Sequence, residues 1–235
     1  DNNTINMQGQ NYGYYGIYFY YNQNNVATQG HVITRNKINT FGYYGIYLYY
    51  PQQASGAATL FANNVINGNS QNSPNYAGTY GVYFYQGVSG VPANILHNTV
   101  VMSGPGSTST LASAFYTSNA TNVVVKNNIF SVTNGNYTPA YYATSPTTGN
   151  VNYNQYWNST NTTTGNLVYR GTFFNPTNYK TATAGGDSSF NSAPIFAGAN
   201  NFAITSGCVR GATTNGLVNL DIANNARNLT NPNVG

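Results

Sequence analysis

Glutamate is absent from this chain and aspartate nearly so. Across 235 residues the only acids are Asp1, Asp187 and Asp221. Charged residues make up 4% of the total, where an ordinary globular domain carries roughly 25%. The whole stretch from Asn2 to Tyr142 contains no carboxylate. Chemistry that needs paired carboxylates, or carboxylate-bound Ca²⁺, therefore has almost nothing to draw on. The seven cations, Arg35, Lys37, Lys126, Arg170, Lys180, Arg210 and Arg227, are scattered. No cluster of them follows a phosphate backbone, so the net charge of +4 does not mark a nucleic-acid binder. Cys208 is the single cysteine, which rules out an intrachain disulfide framework. It reads as a small buried apolar residue with no evident base beside it. His31 and His97 fall in different columns of the pattern described below and read as exposed or loop histidines, so neither a metal site nor a cofactor is expected. No apolar run reaches the ~18 residues of a membrane-spanning helix, and membrane insertion is not expected.

What the chain does have is repetition. Tyr15-Gly16-Ile17-Tyr18-Phe19-Tyr20 returns as Tyr44-Gly45-Ile46-Tyr47-Leu48-Tyr49 and as Tyr80-Gly81-Val82-Tyr83-Phe84-Tyr85, with the glycines 29 and 36 residues apart. It continues in degraded form as Ala114-Phe115-Tyr116 and Ala140-Tyr141-Tyr142. A second column holds Asn3, Asn36, Asn64, Asn98 and Asn127, each two residues before Ile5, Ile38, Ile66, Val100 and Ile129. A third, three residues ahead of those asparagines, holds Ile33, Phe61, Ile95 and Val124. Aromatic residues reach 15%, more apolar surface than a disordered chain carries. Alternation within the Tyr-Gly segments and their β-branched and aromatic content specify strands rather than helices.

Strand, turn, strand, loop, strand at about 30 residues per coil predicts an all-β fold, a right-handed parallel β-helix with three sheets. Regular coils are expected over 1–145. Less regular coils, closing the same solenoid, are expected over 146–235. Ile17, Ile46, Val82, Phe115 and Tyr141 should stack in the bore beside the Ile5 column. The Asn column is expected to make the sharp turns, since Asn tolerates left-handed backbone, and to hydrogen-bond from coil to coil. The glycines read as bends or close-packing points. The variable loops 52–58, 69–77 and 104–110 are where a solenoid places recognition. If the bore residues point inward, alternation sends Tyr18, Tyr47, Tyr83, Tyr116 and Tyr142 outward in one row and Tyr20, Tyr49 and Tyr85 in a second. Such a strip either stabilises the sheet or docks a partner, protein or neutral glycan.

The later part of the chain carries a resemblance. Val123–Phe130, the segment Asn152-Tyr153-Asn154-Gln155-Tyr156-Trp157, Ala193-Pro194-Ile195-Phe196 with Asn201-Phe202-Ala203-Ile204 and Ser206-Gly207-Cys208, and Leu220–Arg227 with Pro232–Gly235 follow one another in the order seen in bacterial secreted parallel β-helix repeat proteins. The chain resembles that group, which belongs to the broad pectin-lyase-like superfamily. It departs from the group's pattern at Ala193, where an acid is usual, and at Cys208-Val209-Arg210, where Ser-Pro-Ala is usual. The resemblance implies secretion, a cell-surface location and membership of large adhesins. The abrupt ends read as those of a block of a longer polypeptide whose targeting segment lies elsewhere. Six Asn-x-Ser/Thr sequons, at Asn2, Asn119, Asn136, Asn158, Asn161 and Asn228, offer possible glycosylation sites.

Three functions are weighed on these grounds. The favoured one is a non-catalytic extracellular structural or adhesive module, self-associating or joined to neighbouring blocks of the same polypeptide. The alternative is a carbohydrate-binding module using the tyrosine strip. A polysaccharide lyase or hydrolase on Asp187 and Asp221 is the least favoured, because nothing in the sequence brings the two together.

Overall fold

The computed structural model describes residues 1–7, 15–20, 23–24, 30–39, 41, 43–49, 52–53, 57–69, 80–85, 92–103, 113–118, 122–133, 140–144, 151–159, 167–182, 188–198, 201–206, 217–228 and 232. Asp187, Cys208, sequons Asn119, Asn136 and Asn161, and residues 54–56, 70–77 and 104–110 of the variable loops lie outside that set.

The described residues form an all-β solenoid with one short 3-10 turn, Tyr179–Ala182. Each coil contributes a strand to each of three sheets. The first sheet stacks Val32–Thr34, Thr59–Ala62, Ala93–Leu96, Val123–Lys126 and Val151–Asn152. The second stacks Thr4–Asn6, Lys37–Asn39, Val65–Asn69, Thr99–Ser103, Ile129–Thr133, Gln155–Asn158 and Phe190–Asn191. The third, the tyrosine sheet, stacks Tyr15–Tyr20, Tyr44–Tyr49, Tyr80–Tyr85, Ser113–Ser118, Tyr141–Ala143 and Val168–Arg170. Phe173–Phe174 then pairs antiparallel with Val168–Arg170 and ends the parallel stack. All other pairings in the three sheets are parallel and join strands one coil apart.

The bore is apolar. Ile17, Ile46, Val82, Phe115, Tyr141 and Val168 align in register in the tyrosine sheet, as the alternation predicts. Two other columns differ by one residue from the sequence reading in their last members. Register runs Ile5, Ile38, Ile66, Val100, Phe130, Tyr156, so Phe130 rather than Ile129 continues the bore. It likewise runs Ile33, Phe61, Ile95, Val125, so Val125 replaces Val124. The reason is the ladder: Asn128, not Asn127, pairs with Asn98 and Asn154, and the spacing of the earlier coils counted from Asn128 leads to Phe130 and Val125. In this part of the bore Phe115, Phe130, Tyr141 and Tyr156 are fully buried, with ring contacts at 5.1 to 6.2 Å.

The glycines sit where coils approach most closely. A Cβ on Gly81 would lie 2.2 Å from Val100 Cγ1 and 2.6 Å from the Ala114 carbonyl oxygen. On Gly16 it would lie 2.5 Å from the Gly45 carbonyl oxygen. Neither Gly16, Gly45 nor Gly81 has a positive φ, so their role is space rather than an unusual backbone.

The corner between the first and second sheets does need left-handed backbone, but the column Asn3, Asn36, Asn64, Asn98 does not supply it. The residue before each does: Asn2, Arg35, Asn63, His97, Asn127 and Tyr153 have φ of 54 to 59°. Asn127 therefore belongs to this turn column and not to the ladder, where Asn128 takes its place. His97 sits in the same column, buried, with its Nε2 3.3 Å from Asn127 Nδ2; it is not an exposed or loop histidine.

After Ile195–Gly198 and Asn201–Ser206, which pair antiparallel, the chain returns along the outside of the first sheet. Val218 is buried with Ala62 and Leu96. Asn63 Nδ2 donates to the Leu220 carbonyl at 2.7 Å, and the Arg227 guanidinium donates to Asn63 Oδ1 at 2.9 Å. The Arg35 guanidinium reaches both Asn224 Oδ1, at 2.6 Å, and the Asp1 carboxylate.

Candidate functional site

Two ladders recur in every regular coil and hold most of the repeated polar and aromatic groups. The first is buried. Asn3 Nδ2 donates to Asn36 Oδ1, Asn36 to Asn64, Asn64 to Asn98, Asn98 to Asn128 and Asn128 to Asn154, each at 2.9 Å. Each step spans 26 to 34 residues of sequence. The same Oδ1 atoms also accept a backbone N–H, at 2.9 to 3.3 Å. The second amide hydrogen of Asn64, Asn98, Asn128 and Asn154 goes to a carbonyl of the preceding coil at Ile33, Phe61, Ile95 and Val125. In the inner rungs both ends of the amide are satisfied, which is what allows a polar side chain to sit fully buried. Ser189 closes the ladder, its hydroxyl accepting the Asn154 N–H at 2.8 Å. Asn154 escaped the sequence reading, although Asn152-Tyr153-Asn154 repeats the spacing of Lys126-Asn127-Asn128.

The second ladder is on the outside. Tyr18, Tyr47, Tyr83, Tyr116 and Tyr142 stack in one row at 4.8 to 5.4 Å between ring centroids and 9 to 12° between planes. Tyr20, Tyr49 and Tyr85 form the adjacent row at 5.0 and 4.7 Å. All eight tyrosines singled out by alternation are thus brought together. Four tyrosines were missed. Tyr169 extends the first row, 4.2 Å from Tyr142. Tyr15, Tyr44 and Tyr80 form a third row, with successive centroids 5.3 and 5.7 Å apart. Strict alternation places Tyr15 on the side of Ile17, but the side-chain direction at Gly16 points at Ile38 in the bore. The glycine absorbs the slip and turns Tyr15 outward. Glycine at the same place in three copies was the available signal. Ser113 follows Tyr80 in register, and Tyr80 instead leans onto Tyr116 at 4.8 Å and 54°.

Stacking decides what this face offers. Neighbouring ring planes lie against each other, so within the rows the faces are used between coils and ring edges are what the stacks leave uncovered. Exposure is greatest in the first coil, at 53% for Tyr18 and 47% for Tyr20, whereas Tyr142 is 9% exposed. Burial, followed by the charges of neighbouring phenols, pushes Tyr47, Tyr80 and Tyr83 well above the usual 10.0, and for Tyr44 burial is joined by a hydrogen bond to Tyr43. Tyr142 is pushed up to about 12, by burial first, then by Tyr169 and Tyr116 and a hydrogen bond to Tyr169. These phenols stay neutral.

Both described acids are engaged: the Asp1 carboxylate accepts from Thr34 and Arg35, and Asp221 is held in a turn. Asp221 Oδ1 accepts the N–H groups of Ala223 and Asn225 at 2.8 Å, and Oδ2 accepts Asn225 Nδ2 at 3.0 Å. Partial burial opposes its ionisation, but these donors and Arg227 outweigh it and hold its pKa below the ordinary value. Among the described residues no three of His, Cys, Asp and Glu come together. An open groove of about 550 Å³ near the closing end is lined by Pro176, Thr177, Tyr179, Lys180, Phe190, Asn191 and Ser192, none of them acidic. Of the sequons, Asn158 has its side chain buried, which prevents glycan attachment in the folded chain, whereas Asn2 and Asn228 are exposed. No helix among the described residues is long and apolar enough to cross a membrane. Comparison with protein-family models, with curated proteins and with solved structures finds no match to this chain.

Proposed function

We propose that this chain is a non-catalytic extracellular structural or adhesive module, one β-solenoid block of a larger cell-surface fibre or adhesin of the bacterial secreted β-helix type. What supports the reading is the use made of the recurring side chains. The asparagine amides and the tyrosine ring faces are spent on contacts between coils, so repetition here serves to hold a rod together. Its partners are further blocks of the same kind. Electron microscopy of the native protein, released without denaturation, tests this. Long fibres with a strand spacing of ~4.8 Å along the axis support it. Discrete short rods with hydrolytic or lyase activity would sink it.

A second reading rests on the ring edges that the stacks leave uncovered. Rows of neutral hydroxyls about one coil apart suit a neutral glycan lying along the rod, held through its hydroxyl groups rather than by sugar stacking on ring faces. Replacing Tyr18, Tyr47 and Tyr83 together by Ala should then abolish retention on an immobilised neutral glycan. A folded triple variant that is retained unchanged removes this reading.

A further inference from the structure

The tyrosine sheet places phenols of successive coils against one another over its whole length, and one pair stands apart. Tyr142 and Tyr169 have the shortest centroid separation among the stacked tyrosines of the rows, 4.2 Å, with planes 10° apart. The two rings stack nearly parallel at that distance, so their ortho carbons lie within about one stacking distance of each other. The pair joins strands Tyr141–Ala143 and Val168–Arg170, which are neighbours in register. From the exposed Tyr18, an unbroken row of stacked rings leads to it in steps of 4.8 to 5.4 Å.

We infer that the tyrosine row is an oxidative cross-linking site, at which a peroxide acting through a haem peroxidase joins Tyr142 to Tyr169 as dityrosine and so ties adjacent coils covalently. Each phenol gives up one electron and one proton, leaving two neutral phenoxyl radicals. These couple through the ring carbons ortho to oxygen, forming one carbon–carbon bond. The hydrogen on each of those carbons moves to its oxygen and restores both phenols. The net loss is two hydrogen atoms, which reduce one hydrogen peroxide to two waters. Tyr142 is nearly buried, so the oxidant abstracts from exposed rings such as Tyr18. The electron vacancy then passes from ring to ring, each step comparable to a van der Waals contact, until it reaches the pair whose carbons are close enough to bond.

The test is oxidation of the folded protein with hydrogen peroxide and a haem peroxidase, followed by dityrosine fluorescence, intact mass and peptide mapping of the linked residues. The expected product is a monomer lighter by two hydrogen atoms per link, with Tyr142 joined to Tyr169. Tyr169→Phe keeps the ring and the stack but removes the phenol, and should abolish that link while the circular dichroism of the fold is unchanged. Tyr18→Phe, remote from the pair, should slow its formation without changing where it forms. Links found only between molecules would overturn the inference. So would the same link map in denaturant as in buffer, or a Tyr142 link that survives in Tyr169→Phe.

Discussion

The two ladders solve the same problem with opposite chemistry. One is polar and buried; the other is aromatic and outside. In the asparagine ladder each rung depends on length and direction, because Oδ1 must meet two donors and Nδ2 two acceptors in a space that excludes water. In the tyrosine ladder each rung depends on area, and ring planes 9 to 12° apart tolerate a range of offsets. The difference teaches that a polar residue repeated in a solenoid can be the least replaceable part of its interior, while the conspicuous aromatic repeat is the more forgiving one.

Four perturbations would break or sharpen this contrast. The largest effect should come from ionising the tyrosine face as a whole. The phenols of Tyr44, Tyr47, Tyr80, Tyr83 and Tyr142 are raised above 10.0 in the folded chain. The folded state thus holds protons that the unfolded state has released, so stability is unaffected below pH 10 and falls as pH rises from there through about 12, the value for Tyr142. Phenolate absorbance should therefore appear together with loss of the β circular dichroism signal. A gradual titration centred near pH 10 with the fold intact would contradict it.

Next in size is the asparagine column, where the one-residue correction can be tested directly. Asn128→Ala strands buried donors and acceptors on both sides and should cost about 3–5 kcal/mol in chemical denaturation. Asn127→Gly keeps the left-handed turn and should change stability by no more than about 1 kcal/mol. Equal losses would erase the distinction between the columns. Removing one tyrosine rung should cost less: Tyr83→Ala loses two stacks, about 2 kcal/mol, while Tyr83→Phe should stay within about 0.5 kcal/mol. The smallest effect has the opposite sign. Tyr153 pays for a φ of 55°, and Tyr153→Gly should raise stability by about 0.5–1 kcal/mol.

Much of this was legible in the sequence because period-2 alternation and a coil-length repeat are direct images of a parallel solenoid. The bore column from Ile17 to Tyr141 and both predicted tyrosine rows follow from that alone. The failures have a common physical origin. Where two asparagines adjoin, as in Asn127-Asn128, one fills the turn and the other the ladder, and composition cannot say which. The same slip carried the inner columns to Ile129 and Val124, which hold the expected spacing from Asn127, whereas Phe130 and Val125 hold it from Asn128 and take those places in register. Tyr15, Tyr44 and Tyr80 were lost because alternation is a rule about side chains, and glycine has none with which to keep it. The docking of the fold-back near Leu220 was not legible, although Leu220–Arg227 was noticed as a resembling segment: its contacts are one apolar side chain, Val218 against Ala62 and Leu96, with a backbone carbonyl, two amides and the guanidinium groups of Arg35 and Arg227.

That fold-back changes the kind of object the solenoid is. A stack of coils that touch only their neighbours unzips from either end, each coil leaving at its own cost. Here Asn63 is held to Leu220 and Arg35 to Asn224, across 157 and 189 residues of chain. An early coil cannot peel away without also releasing the segment that follows the last one. The rod is thereby closed into a circuit, and its melting should be a single concerted event instead of progressive fraying.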